Sequence, residues 1–384
     1  MAEYLAQRRR RIAAPHGAAG AYRSWYPGAH SCSGSCKGYT LLTVLVALVL
    51  LAAGAYSLLD LASFHQPQAK RFLNERQQYQ AARGGIEYLL ELLAAEEPDL
   101  LAEFSIEAGR QLEIGGVPVA VSIEDEGSKI NVNAATEKLL LGLDLSRAQV
   151  ESLLDWRDVD SDPWPSGAEA EYYNAETDLT PRDGLLPTTE ELFLVRHWQG
   201  EEELIRRHLT VYGPMNVNQL SPDSLDALLG ALAVDKFTSQ SIVNDFLAAK
   251  MRGQLFPDLE SFFGSLPSLG PLLGEELAEH LTAEPVVNVN TATPRVLSAW
   301  CHYLDLAPSL ADWIVESRKS IPFTDLAPLL SRVPREQHRL ITAYFTTESR
   351  IFSLAARAGR HQIRAVVQQK DEELAILAWQ ERTD

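Results

Sequence analysis

Cysteine is scarce in this sequence. Cys32, Cys36 and Cys301 are the only three in 384 residues, too few and too odd in number for a disulfide framework. Positive charge is also short: 34 basic side chains stand against 52 acidic ones, a formal net charge of −18. That excludes nonspecific binding to nucleic acid or to anionic lipid, which needs a basic face. The nine histidines are scattered with no pair at helical i, i+4 spacing. No phosphate-binding glycine loop, Gly-x-Ser-x-Gly elbow or His-Glu-x-x-His helix occurs. No catalytic residue and no organic cofactor site are assigned, and the expected function is not enzymatic. With 46% apolar and 22% charged residues, the composition is that of a globular protein of two or three domains.

Long apolar runs are missing, with one exception. Residues 1–37 hold Arg8, Arg9, Arg10, Arg11, Arg23 and Lys37 against the single acid Glu3, and then no charge falls between Gly38 and Leu59. Tyr39–Leu59 as a helix measures roughly 31 Å, the thickness of a bilayer core. One membrane span therefore fits, with its Arg-rich side in the cytoplasm. Three readings of this segment stand side by side. It is an uncleaved signal anchor. It is a secretory signal peptide cut after Ala53-Gly54-Ala55, although the basic region is long for one. Or it is a type IV prepilin-like leader, because Lys37-Gly38-Tyr39-Thr40-Leu41-Leu42 resembles that junction, with the cut between Gly38 and Tyr39. Most members of that family carry Glu at the fifth mature residue; here the position is Thr43.

Beyond Asp60, Phe72, Tyr79, Ile86 and Leu93 recur every seven residues, with Leu89 and Leu90 on the same side. This spacing predicts one amphipathic helix, kinked at Pro67, weakened at Gly84-Gly85 and ended by Pro98. Short Val/Ile-rich segments then read as strands: Phe104–Ile106, Gln111–Ile114, Val117–Ile123 and His208–Tyr212. Strand character returns only at Arg350–Ala356, Gln362–Val367 and Leu374–Trp379. A small sheet interrupted by a large helical insertion is the economical explanation, since the two ends of the sheet need each other.

The insertion repeats itself. Asn131–Asn133, Asn216–Asn218 and Asn288–Asn290 each spell Asn-Val-Asn. Each is followed by Thr or Ser and an apolar helix, so each marks a capped helix start. Asn side chains there can tie down loop backbone and helix N-termini. The pattern also resembles helix-hairpin-helix DNA-binding modules. Their glycine turn is absent, however, and the connections beginning at Gly142, Ala233 and Tyr303 each carry an Asp (Asp144, Asp235, Asp305) where phosphate would sit. A secreted or membrane-anchored binding protein of helix-hairpin-helix type is the alternative function; nucleic acid is not an expected partner.

One loop is densely acidic. Asp155, Asp158, Asp160 and Asp162 are followed by Pro163, Pro165, Gly167, Glu169 and Glu171. Alternating carboxylates in a Pro/Gly loop suit a hard cation such as Ca²⁺, which takes six to eight oxygens, and no His or Cys is near enough to suggest zinc. The expected ligands are Asp158, Asp160, Asp162, Glu169 and Glu171, with Asp155 structural.

From Gly38 onward the sequence resembles the minor pseudopilin K family of type II secretion. The carriers are Asp155-Trp156, Asp158, Asp160, Gly167-Ala168-Glu169, Tyr172-Tyr173, Arg182-Asp183-Gly184 and Glu190-Glu191-Leu192, together with the leader junction. Component K characteristically lacks the Glu that Thr43 replaces. The resemblance implies an α+β fold: a transmembrane and amphipathic helix packed on a small antiparallel pseudopilin sheet, interrupted by a helical insertion resembling SAM or helix-hairpin-helix domains. It divides the chain into a leader (1–38), a span (39–60), a pseudopilin domain (61–124 and 346–384) and the insertion (125–345). It further implies cleavage and methylation at Tyr39, Ca²⁺ in the acidic loop, and a place at the pseudopilus tip. The implied partners are minor pseudopilins I and J, in the bacterial inner membrane with the bulk of the chain in the periplasm. Contact with secreted substrates stays open.

Overall fold

The computed structural model describes residues 37–95, 103–105, 109–176, 179–370 and 373–383, without the side chains of 37–38 and 61–67. Leader residues 1–36, with Cys32 and Cys36, lie outside the described residues, as does Pro98. The chain divides into two compact units, Met1–Ala69 and Lys70–Asp384.

The first unit holds the apolar part of helix α1, which runs from Lys37 to Ala94 as one helix through position 67. Its stretch Tyr39–Asp60 is long and apolar enough to cross a membrane. None of its described side chains is buried by protein, and Tyr39, Leu41, Leu51 and Tyr56 stand open. Lipid is the solvent such a surface suits.

In the second unit the remainder of α1 lies on a sheet. Strands β1 (Arg110–Ile114) and β2 (Val117–Asp125) form a hairpin. Six two-residue strands follow: β3 (Ile130–Asn131), β4 (Leu209–Thr210), β5 (Met215–Asn216), β6 (Leu281–Thr282), β7 (Val287–Asn288) and β8 (Phe345–Thr346). Strands β9 (Ile351–Ala358), β10 (His361–Lys370) and β11 (Glu373–Thr383) then complete a five-stranded antiparallel sheet of order β1-β2-β9-β10-β11. The molecule is thus of mixed α and β structure. Everything between β2 and β9 leaves the sheet and returns to the neighbouring strand.

Ala81, Ala82, Ile86, Leu89 and Leu93 of α1 pack on Val119, Val121, Ile123, Leu354 and Ile363. Three sequence expectations change here. Phe72 is exposed rather than packed; the buried stripe begins at Tyr79. Phe104 is not in a strand; it is buried, and its carbonyl accepts from Ile123 N at 2.7 Å, so it closes the core beside β2 without joining the ladder. Gly84-Gly85 is not a weak point. A Cβ on Gly85 would meet Ala356 at 2.9 Å and Val119 at 3.1 Å, so the missing side chain lets helix and sheet approach. Gly85→Leu is expected to cost about 1–3 kcal/mol by overpacking, read as a lowered urea midpoint.

Within the insertion the three Asn-Val-Asn copies share one construction. Each opens on a short parallel rung, β3 with β4, β5 with β6, β7 with β8. The first Asn accepts from the backbone N of the second, at 2.9, 2.7 and 2.9 Å. The second Asn then clamps a distant backbone by both ends of its amide. Its Oδ1 accepts from Leu186, Phe256 or Phe323 N, each at 2.8 Å, and its Nδ2 donates to the same residue's carbonyl at 2.9 Å. Thr136, Ser221 and Thr293 cap the helices Glu137–Leu141, Pro222–Ala231 and Pro294–Tyr303, as their sequence positions predict. Copies one and three share a single core, which includes Trp156, Trp198, Trp300 and Phe345, whereas copy two encloses its own around Phe246, Phe256 and Phe262.

The turns between paired helices correct one alignment. The left-handed residue is Asp144 (φ 54°), Ala233 (φ 56°) and Asp305 (φ 54°). The equivalent of Asp144 in copy two is therefore Ala233. Asp235 instead caps the helix Lys236–Met251, accepting from Phe237 and Thr238 N. Asp tolerates that conformation through its short polar side chain.

Sequence reasoning also missed a basic residue near the end of each second helix. Arg157 donates to the Val132 and Ala135 carbonyls, Lys250 Nζ to Asn218 O at 2.5 Å, and Arg318 Nη1 to Val289 O at 2.7 Å. Each cation thus donates to one or two carbonyls in or just after the Asn-Val-Asn turn. The available signal was positional: Arg157, Lys250 and Arg318 recur at the same place in all three copies.

Candidate metal centre

The acidic loop hangs from the helix Arg147–Arg157. A capping box of Ser146 and Gln149 fixes its start, and Asp158 caps its end, donating its backbone N to Leu154 O at 3.0 Å. Glu151 and Asp155 lie one turn apart on this helix, so both face the returning loop. Glu151 Oε2 accepts from Ser166 N at 2.6 Å, and Asp155 accepts from Trp164 N at 3.1 Å. Gly167 sits against the Asp155 carboxylate, where any Cβ would overlap its oxygens. The loop is thus folded around Asp155, and that folding delivers Glu169 to the end of the helix.

As a result Asp155, Asp158 and Glu169, all buried, offer carboxylate oxygens that lie within 4.8 Å of one another. Asp158 Oδ1 and Glu169 Oε1 are buried with no hydrogen-bond partner. Burial is the main force raising the Asp158 pKa to about 8, followed by the charges of Asp160, Glu169 and Asp155. Glu169 is raised to about 7, again by burial first and then by Asp155, Asp183 and Asp160. Asp155 is raised by burial, against the hydrogen bonds from Trp164 and Ala168. Among the described residues no Lys or Arg forms an ion pair with these three. Arg157, next to them in sequence, spends its guanidinium on Val132 and Ala135. Like charges at this distance, out of water and with orphaned oxygens, need a proton or a cation. An all-oxygen donor set suits a hard divalent ion.

Of the five ligands expected from sequence, the structure brings Asp158 and Glu169 together and adds Asp155. Asp160 stands at the rim; it is exposed, yet its charge acts on both Asp158 and Glu169. Its Oδ1 accepts from Asp162 N at 2.8 Å. Asp162 and Glu171 are exposed and are not in the cluster. Asp183, left-handed at φ 49°, and Asp223 were not foreseen as neighbours; Asp183 acts on Glu169, and Asp223 on Asp158.

The flanking motif residues hold the loop's base. Trp156 Nε1 donates to Glu191 Oε1 at 2.9 Å, and Arg182 grips the same carboxylate with Nε and Nη2 at 2.5 and 2.6 Å. Arg182 and Asp183 N both donate to Trp156 O at 3.1 Å. Tyr173 packs edge-on to Trp156 with ring centroids 4.9 Å apart.

This segment, from within β2 to the start of copy two, is the part of the chain that a known family describes. Residues 120–214 match the family model of type II secretion system protein K. Over that segment the chain is similar to protein K of type II secretion. The acidic loop, the Trp156–Glu191–Arg182 network and the first Asn-Val-Asn copy all fall inside the matched segment. No curated protein matches the chain. Among solved structures, the crystal structure of the GspK-GspI-GspJ complex from the enterotoxigenic Escherichia coli type 2 secretion system contains a chain similar to this one. It shows 15% identity and a TM-score of 0.47, over 83% of this chain and 100% of that chain.

Proposed function

We propose that the protein is a minor pseudopilin at the tip of the type II secretion pseudopilus, with an architectural rather than catalytic role. The match of residues 120–214 to protein K carries this reading. An apolar helix that runs directly into a helix packed on an antiparallel sheet supports it. In this reading prepilin peptidase cuts between Gly38 and Tyr39 on the cytoplasmic side and methylates Tyr39. The Tyr39–Asp60 span holds the subunit in the inner membrane, and the remainder lies in the periplasm. Thr43, in place of an acid, suits a subunit with none above it, because there is no neighbouring N-terminal amine to neutralise. The helix-hairpin-helix-like copies serve as SAM-like packing units rather than as phosphate readers, in keeping with the acidic balance and with Asp144 and Asp305 at the turns. The partners are minor pseudopilins I and J, which the similar chain meets in its complex.

Asp155, Asp158 and Glu169 would hold calcium, with Asp160 able to reach it from the rim. Bound there, the ion would supply charge neutralisation to a surface loop and no chemistry. The N-terminus is the decisive test. Protein purified from membranes is expected to begin at methylated Tyr39 by sequencing and intact mass. A chain beginning at Tyr56 is a signal-peptidase product, and one beginning at Met1 is an uncleaved anchor; either result overturns the pseudopilin assignment.

A further inference from the structure

Copy two is a unit of its own within the insertion. The β5–β6 rung closes it, its core is separate, and two short connectors, 211–214 and 283–286, join it to the rest. Among the described residues, copy one lends that core Ala134, fully buried, and Leu185, partly buried. Tyr344 Oη adds a bond to the Asn218 carbonyl at 2.9 Å. The supports of the acidic loop set both copy-one residues. Ala134 lies between Val132 and Ala135, whose carbonyls accept from Arg157. Leu185 lies between Asp183, whose N donates to Trp156 O, and Leu186, which Asn133 clamps.

Arg157 stands at the meeting of the two copies. It is buried, and its Nε has no hydrogen-bond partner. Two carboxylates act on its charge. One is Asp158, of the acidic cluster. The other is Asp223, in the first turn of the copy-two helix Pro222–Ala231. Asp223 is exposed, and among the described residues it forms no ion pair. Its charge also acts against that of Asp158. An ionised cluster therefore repels Asp223 and competes with it for Arg157.

We propose that the cation cluster is a latch for copy two. A cation on Asp155, Asp158 and Glu169 would cancel the repulsion and leave Arg157 to Asp223, holding copy two against copy one. Without the cation, copy two loosens about its connectors. The inference rests on the calcium reading of the cluster given above.

The test is amide hydrogen exchange of the full chain in detergent micelles at pH 8, with saturating calcium and with a chelator. Copy one is read over 147–157, and copy two over 222–231 and 236–251. Calcium is expected to slow both, copy two by about tenfold, an ordinary coupling between two sites. Asp223→Asn should keep the slowing in copy one and cut that in copy two to less than about threefold. Glu276→Gln removes an exposed charge elsewhere in copy two and should behave as the parent chain. Slowing confined to copy one in the parent chain overturns the latch and leaves the calcium reading standing. So does a copy two that responds fully in Asp223→Asn, which would leave Asp223 serving only its own helix N-terminus. No slowing in either copy overturns both.

Discussion

Adding calcium to the detergent-solubilised chain at pH 8 is expected to raise its Tm by roughly 5–10 °C, and a chelator to reverse the shift. A ligand at a hundred times its Kd stabilises the state that binds it by about 2.7 kcal/mol. Domains of this size gain roughly 2–4 °C per kcal/mol. The sign of the pH dependence makes the test specific. Burial raises the Asp158 pKa to about 8 and that of Glu169 to about 7, whereas unfolded carboxylates titrate near 4. Without calcium, the stability these groups contribute is therefore fully present below about pH 4. It is lost as pH rises through about 7 and 8, because the folded state must then give up protons it holds tightly. Calcium binds the ionised cluster, so its effect should be largest at pH 8 and should vanish near pH 5. Asp158→Asn and Glu169→Gln mimic the protonated forms. Each is expected to raise the calcium-free Tm at pH 8 while removing the response to calcium. Asp162→Asn and Glu171→Gln, both outside the cluster, should leave the response nearly intact. A chain indifferent to calcium at pH 8 would sink the metal assignment.

Asp125→Ala is expected to destabilise the protein by about 3–5 kcal/mol, seen as a lowered denaturant midpoint of the solubilised chain. Asp125 is buried at the end of β2, where the insertion leaves the sheet. Its Oδ1 accepts from Ser128 N at 3.1 Å. Its Oδ2 accepts from the Thr291 and Ser349 hydroxyls and from Asn288 Nδ2 at 3.3 Å. Burial raises its pKa, opposed by the bonds from Ser349 and Thr291. One carboxylate thus ties β2, the third Asn-Val-Asn copy and the approach to β9 together. Removing it leaves several buried donors without an acceptor, the costly half of a hydrogen bond's energetics. A loss below about 1 kcal/mol would show that water or neighbouring groups replace it. Asp125→Asn keeps one acceptor oxygen and should fall between the two.

Much of this arrangement was legible in the residues themselves. Short Val/Ile-rich or alternating segments, set off by Gly115-Gly116, Gly359 and the charged stretch from Lys370, located β2, β9, β10 and β11, because half-buried strands leave that mark. Three Asn-Val-Asn copies were visible because each turn needs the same two amides. What they grip was not visible, since Leu186, Phe256 and Phe323 are distant in sequence and share no residue type. The Gly84-Gly85 pair was misread because helix propensity is a local property and close approach to Ala356 is not. In the acidic loop, sequence spacing could not rank the carboxylates. Asp162 looks as good a ligand as Asp158 until the chain is seen to wind around Asp155. The i, i+3 relation of Asp155 and Asp158 on the last helical turn was the overlooked clue.

The parallel rungs have a kinetic meaning. Glu126 N donates to Ile351 O, so the two ends of the whole insertion must meet before the sheet can close. Bringing such distant points together in a flexible chain would carry a large entropic penalty. Each copy, however, ends on a rung placed just before the next copy begins: Thr210 precedes Met215, Thr282 precedes Val287, and Thr346 precedes Ile351. Three closures in series turn one very long search into three shorter ones, after which β2 and β9 are separated by little more than a few connecting residues. The insertion is therefore expected to fold first and the β2–β9 ladder last, leaving the five-stranded sheet as the final part of its unit to acquire its shape.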